Sequence, residues 1–330
     1  MSSDLVVAVL GTGSIGTRHL AVLGALPGVR PLAVPLRIQR REELARAGHE
    51  VAQDLPAAFT EGARAAVIAT DTRRHVADAV QALALGFDLL VEKPLACDTK
   101  GARQIRDVAL RNGRRVFVGC VLRFSASLNA FRAHLARVGR LHSVHIECRS
   151  FLPDWRPGQP YKDSYSARED EGGVLRDLVH EIDYAAWLFG WPRRLFARVR
   201  NLGRLGIAAD EQAEMSWEAD SGAVVTVGLD YLTRPTRRGI CAAGELGTLT
   251  WNAVEQGVTV SVAGEAAATQ RLAEERNNMF RAQAAAFVAS CQDGRDVALA
   301  TAEDGVRALA VIEAARRSMA TDRSEEVNYP

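Results

Sequence analysis

The stretch Val9–Leu23, VLGTGSIGTRHLAVL, decides the fold. Gly11, Gly13 and Gly16 stand in a G-x-G-x-x-G spacing directly after the apolar run Leu5–Leu10 and open an apolar pattern of helical period. In that setting each glycine has a separate task. The first permits a tight turn, the second lets a pyrophosphate approach the backbone, and the third lets helix and strand pack closely. The helix start that follows offers unpaired amides and a positive dipole end to an anion. The loop therefore reads as a dinucleotide cradle made by Gly11, Thr12, Gly13, Ser14, Ile15 and Gly16.

Working outward, strand and helix signals alternate through the first third. RPLAV, AAVIAT (Ala65–Thr70), DLLVEKP and RRVFVGC read as strands, separated by helical segments such as REELARAG and RHVADAVQALALG. Such alternation predicts a parallel sheet with helices on its faces. Beyond Cys120 the strand-like runs AEMSWEA, AVVTVGLDYL, RRGICAAG, GTLTWN and GVTVSVAG follow without intervening helices, which predicts an antiparallel sheet. Two helices, about 277–292 and 302–319, close the chain. The expected class is α/β, with a Rossmann domain over 1–120 and an α/β domain with an open, mainly antiparallel sheet over 121–330.

Composition narrows the setting. Of 330 residues, 48% are apolar and 25% charged, and the formal net charge of +1 gives no reason to expect a nucleic-acid or membrane partner. Five scattered cysteines without a C-x-x-C pair read as reduced thiols. The start of the chain lacks a basic region and cleavage site, and no apolar run reaches the roughly 20 residues that span a bilayer. A cytoplasmic protein is expected.

At the end of the second strand, AVPLRIQRR (Ala33–Arg41), Leu36 stands where an NAD site carries an acid for the ribose hydroxyls. Arg37, Arg40 and Arg41 follow. A missing carboxylate beside guanidinium groups favours NADP over NAD, with Arg37 near the 2′-phosphate.

Two further segments carry chemistry. In FDLLVEKPLA (Phe87–Ala96) a buried-strand pattern ends in Glu92-Lys93-Pro94, where a parallel sheet places its ligands. In EGGVLRDLVHEIDYAAWLFG (Glu171–Gly190), roughly 100° per residue puts Leu175, Leu178, Val179, Ile182, Ala185, Ala186 and Phe189 on one face. Asp177, His180, Asp183, Tyr184 and Trp187 fall opposite, as in the wall of a cleft or an interface. Asp177 and His180, three apart, are neighbours on a helix surface, so the carboxylate can orient the imidazole. A metal is not expected, since no thiolate or second histidine has matching spacing. Trp155, Tyr165 and Arg168, in the polar-aromatic segment before this helix, suit a sugar ring and an anionic group, as does Arg123.

Taken in order, GTGSIGTRH, VEKPLA, GCVLRF, GGVLRDLVHEIDYAAWLFG and AEDGVRALAVIEAARRS resemble the Gfo/Idh/MocA family of oxidoreductases, over essentially the whole chain. FLPDWRPGQPYKDSYSARED and the D-L-x-H-E spacing at Asp177–Glu181 are similar to sugar oxidoreductases of nonulosonic-acid gene clusters. The resemblance implies hydride transfer between a nicotinamide and a carbinol or ketone of a sugar, sugar nucleotide or cyclitol. It assigns catalysis to Lys93 and His180, with Asp177 one residue later than the family's usual aspartate. It adds Thr70, His75, Glu92 and Lys93 to the cofactor site; Arg123, Trp155, Tyr165, Arg168 and Tyr184 are expected on the substrate side from their own chemistry. A homo-oligomer formed through the C-terminal sheet is also implied. Two alternatives stay open: a redox-neutral enzyme that retains its nicotinamide, and a non-catalytic NADP-sensing regulator.

Overall fold

The structure of the protein, a computed structural model, describes residues 4–294 and 298–330. The chain divides into two compact units. One runs to Phe124 and takes in Glu275–Val306; the other comprises Ser125–Glu274 and Arg307–Pro330. The expected boundary near residue 120 thus falls at 124, and the later part of the chain returns to the first unit.

The first unit alternates β1 (Leu5–Leu10), α1 (Ser14–Gly24), β2 (Val29–Val34), α2 (Ile38–Arg46), α3 (Leu55–Thr60), β3 (Ala65–Ile68), α4 (Thr72–Leu85), β4 (Asp88–Val91), α5 (Thr99–Arg111) and β5 (Val116–Val118). Strands β1 to β5 pair in parallel in the order β5-β4-β3-β1-β2. A two-residue strand, Ala300–Thr301, adds antiparallel to β5 at the far edge. The order reverses at β1, with β2 on one side and β3 on the other, and that switch point is where open α/β sheets bind ligands beyond the strands' carboxyl ends. The glycine loop leaves β1, Thr70 lies just past β3, and Glu92 and Lys93 follow β4. Helix signals at residues 277–292 materialise as a helix over Arg276–Asp293 that packs into this unit. Its Phe280, Ala284 and Phe287 join Val7, Val9, Val67, Leu90 and Phe117 in one core. The Phe117 and Phe287 rings meet edge to face at 6.3 Å. This is why 275–306 folds with the first unit: the sheet face needs its apolar cover.

The second unit begins with α6 (Ala126–His134), β6 (Leu141–Arg149), α7 (Val174–Asp177) and α8 (Val179–Phe189). There follow β7 (Arg194–Arg200), β8 (Gln212–Glu218), β9 (Val224–Asp230), β10 (Arg237–Gly244), β11 (Gly247–Asn252), β12 (Gly257–Val262) and β13 (Ala268–Arg271). In chain order the later elements, including those already met, are α9 (Arg276–Asp293), β14 (Ala300–Thr301), α10 (Ala302–Thr321) and β15 (Glu325–Glu326). Nine strands form one sheet ordered β13-β12-β11-β10-β6-β9-β8-β7-β15, with antiparallel neighbours except the parallel pair β6 and β9. The segment Glu171–Gly190 is two helices, not one. Leu178 (φ −97°, ψ 30°) interrupts it between α7 and α8. On its polar side Asp177, Asp183 and Tyr184 are buried while His180 and Trp187 are partly exposed; Leu175, Leu178, Val179, Ile182, Ala185 and Ala186 are buried on the apolar side, whereas Phe189 is partly exposed. Among the described residues no helix is long and apolar enough to cross a membrane.

Candidate active site

The loop geometry assigns each glycine a separate constraint. Gly11 adopts φ +86°, and a Cβ there would lie 2.7 Å from the Ala69 carbonyl oxygen. A Cβ on Gly16 would lie 1.8 Å from the Gly11 oxygen, so the helix start and the turn touch backbone to backbone. Gly13 is different: its Cβ would meet nothing within 4 Å. No contact among the described residues demands a glycine there, and the open space lies at the N-cap of the 11-residue helix α1, whose first turn carries no acid. Free amides, absent negative charge and an uncovered backbone fit the pyrophosphate of a dinucleotide.

The three arginines after β2 separate in role. Arg40 donates through Nε to the Thr12 carbonyl (3.3 Å) and through Nη2 to Thr17 Oγ1 (3.2 Å), bracing the loop, and pairs with Glu43 at 3.0 Å. Arg41 donates to the Gln53 carbonyl at 3.1 Å. Arg37, at the N-cap of α2, is exposed beside Leu36, which is 51% exposed.

At the end of β4 the Lys93 side chain is half-buried, and the Lys93–Pro94 peptide is cis. Glu92 is buried; its Oε1 accepts from His19 Nε2 at 2.8 Å and its Oε2 from the Lys93 amide at 3.3 Å. Burial opposes ionisation of Glu92, but the His19 hydrogen bond and charge, with Lys93, hold its carboxyl below the usual 4.5. Thr70 donates its hydroxyl to Asp78 at 2.7 Å. His75, expected on the cofactor, is 1% exposed and lies with both ring nitrogens 3.0 Å from carbonyl oxygens, of Pro94 and of Thr70. Burial pushes its pKa below 6.5. An enclosed ring cannot meet a ligand, so His75 supports the site from behind.

In the second unit His180 is half-buried near the start of α8. Three hydroxyls converge on the Asp177 carboxylate: Tyr165 (2.7 Å) on Oδ1, with Ser166 (2.6 Å) and Tyr231 (3.0 Å) on Oδ2. Leu178 interrupts the helix between Asp177 and His180, and Asp177 anchors the segment around Tyr165. Burial and this carboxylate push the Tyr165 and Tyr231 phenols well above 10, so both remain donors. Trp155 is partly exposed, donating to Ser150 at 2.9 Å, and Arg168 is exposed and pairs with Glu171. Two expected substrate contacts are corrected. Tyr184 is fully enclosed, packed edge to face on Trp251 at 5.6 Å with its hydroxyl on Glu181. Arg123, in the first unit, is 6% exposed and pairs with Asp304 at 3.4 Å. His19 carries no clear signal in the sequence beyond being a histidine three residues past Gly16, on a helix whose buried positions include Gly16, Leu20 and Leu23.

A parallel sheet with a glycine loop at its switch point and a lysine beyond β4 defines a nicotinamide-dinucleotide-binding protein of Rossmann type. Residues 5–120 match the oxidoreductase family with an NAD-binding Rossmann fold, and residues 134–250 match the GFO/IDH/MocA C-terminal domain. The chain belongs to the Gfo/Idh/MocA oxidoreductase family. It is 29% identical over 346 residues to inositol 2-dehydrogenase 2 of Saccharopolyspora erythraea, covering 97% of this chain and 95% of that one. It is 33% identical over 201 residues to the inositol 2-dehydrogenase of Streptomyces avermitilis, where the match spans 58% of this chain and about half (54%) of the relative. Among solved structures, GenD2 from gentamicin A biosynthesis in complex with NAD superposes with a TM-score of 0.84 at 26% identity, covering 99% of this chain and 97% of the other.

Proposed function

We propose that the protein is a nicotinamide-dependent dehydrogenase, or a reductase in the reverse direction, acting on a CH–OH group of a sugar, sugar nucleotide or cyclitol. One observation carries the proposal: the placement of Lys93. The chain has 41 lysine and arginine residues, and only Lys93, Lys100 and Lys162 are lysines. A guanidinium serves wherever fixed charge is enough, but it cannot give up its proton, whereas an amine can. One of the three lysines stands half-buried just past the carboxyl end of β4, two positions in the sheet from β1 and its glycine loop.

The glycine loop would hold the pyrophosphate, and the groups beyond β3 and β4 would face the rest of the dinucleotide. When bound, the nicotinamide supplies the hydride acceptor or donor. The Lys93 amine takes the hydroxyl proton as a carbinol carbon is oxidised, and the ammonium returns a proton to the developing alkoxide in reduction. His180, in the second unit, is proposed as a second proton-handling group. Tyr165 and Asp177 order the polar-aromatic segment on the substrate side, where Trp155 and Arg168 offer an aromatic face and a cation. Inositol dehydrogenases among the relatives support the cyclitol or sugar class.

For the cofactor we propose NADP, on the absence of an acid after β2 and the exposure of Arg37. We also propose a homo-oligomer through the outer face of the nine-stranded sheet, where Ser143, Glu147, Thr226 and Thr250 are half-buried. The test of function is nicotinamide absorbance with NADP⁺ or NAD⁺ and a panel of inositols, sugars and nucleotide sugars. Lys93→Met should retain dinucleotide affinity while turnover falls by about 10²–10⁴. Near-parent turnover in that variant sinks the assignment.

A further inference from the structure

Lys93 is flanked on both sides by residues held from behind by buried imidazoles. On one side, His19 of α1, 1% exposed, binds Glu92 at 2.8 Å. The other ring nitrogen, Nδ1, has no hydrogen-bond partner among the described residues, so among them Glu92 is the one polar side chain bonded to the ring. Phe280 closes on it edge to face at 5.8 Å, and the Arg18 guanidinium stacks over the same phenyl ring at 4.9 Å. On the other side, the ring nitrogens of His75 of α4 lie 3.0 Å from the Pro94 and Thr70 carbonyls, and the neutral ring that burial favours donates its single N–H to one of them. Space enforces the arrangement too. A Cβ on Gly119 would lie 3.0 Å from Glu92 Oε2, so the glycine lets the carboxylate lie against β5's end.

We propose that His19 and His75 form a clamp on the Glu92-Lys93-Pro94 turn and are positioning residues for the Lys93 amine. The clamp ties that amine to the two elements which frame the cofactor site. His19 lies on the helix whose N-terminus is the glycine loop, and His75 reaches back to Thr70 at the end of β3. Neither ring touches a ligand. Each fixes a backbone neighbour of Lys93, so the lysine's flexible stem starts from a rigid base. The inference rests on Lys93 being the proton-handling amine, but the clamp itself is measured without turnover.

The small lysine count makes the test direct. The protein is treated with limiting acetic anhydride, and acetylation of Lys93 is read by peptide mass spectrometry against the exposed Lys100 and Lys162 as internal standards. Three further readouts are the melting temperature and the affinities for NAD⁺ and NADPH. His19→Met keeps the bulk and removes the donor, whereas His19→Gln keeps an N–H near the Nε2 position. His19→Met should raise Lys93 acetylation relative to the standards by about threefold or more through local opening. His19→Gln should restore the parent ratio, and both variants should bind the two nucleotides within about threefold of the parent. Parent-like acetylation in His19→Met, or a failure of His19→Gln to restore it, overturns the clamp. If His19→Met does not fold, His75→Met decides by the same ratio from the opposite side of the turn. Failure of the functional reading appears separately, as turnover surviving in Lys93→Met.

Discussion

Asp177→Asn replaces one of two buried acceptor oxygens by an amide nitrogen. In the parent, Oδ2 receives two hydroxyls, Ser166 and Tyr231, and Oδ1 receives Tyr165. The less costly amide orientation keeps its oxygen toward Ser166 and Tyr231 and turns its NH₂ group toward Tyr165. The phenol must then accept instead of donate, and the two remaining bonds lose their charge. Loss of one hydrogen bond to a charged group costs about 1.5–3 kcal/mol. For a unit of this size, each kcal/mol lowers the melting temperature by about 2–4 °C, so a fall of about 3–12 °C is expected. Because both phenols titrate well above 10, the loss should be the same from pH 6 to pH 9. Calorimetry measures the melting temperature. Hydrogen exchange then tests the location, since the amides of Ala167 and Arg168, bonded to Ser164 and Tyr165, should lose protection first. A variant that melts within 1 °C of the parent, with exchange unchanged over residues 161–168, refutes the anchoring role.

The glycine loop gives a paired prediction: Gly13→Ala should melt like the parent yet bind NAD(P)H about tenfold more weakly, because its Cβ meets only the open cradle. Gly16→Ala should lose stability first, since its Cβ collides with the Gly11 oxygen, and equal behaviour of the two variants would contradict the cradle. Glu92 sets an acid limit. Its folded pKa lies below the unfolded 4.5, so its stabilisation is complete above pH 4.5 and is lost as pH falls through the folded value. Glu92→Gln should flatten that part of the stability curve, as measured by urea unfolding between pH 3 and pH 6. Arg37→Asp should weaken NADP⁺ binding by about tenfold and leave NAD⁺ within about threefold, by titration calorimetry; matching losses for both would reject the 2′-phosphate contact.

What could be read without coordinates was local. The glycine spacing, the parallel-strand runs and the lysine placed where β4 ends all depend on residues a few positions apart. Their periods are fixed by helix and strand geometry. Strands β8 to β12 of the second sheet were legible for the same reason, as were the two closing helices, whereas β7, β13 and β15 were not. What failed was periodicity applied across a tertiary commitment. Glu171–Gly190 has the pattern of one amphipathic helix, yet it breaks at Leu178, next to an Asp177 held by hydroxyls 11, 12 and 54 residues away. The return of Glu275–Val306 to the first unit had no local marker either, because Phe280 and Phe287 reveal their partner only once the sheet exists.

The same division runs through the site. By itself the sequence determined that a dinucleotide loop, a strand-end lysine and a polar-aromatic segment exist, since each is written in adjacent residues. Only the tertiary structure decided that His19 meets Glu92 across 73 residues, that His75 faces backbone carbonyls, and that Tyr184 packs in the core. A buried polar group must find its partner wherever the fold brings one, at any separation along the chain, and no local pattern records that choice.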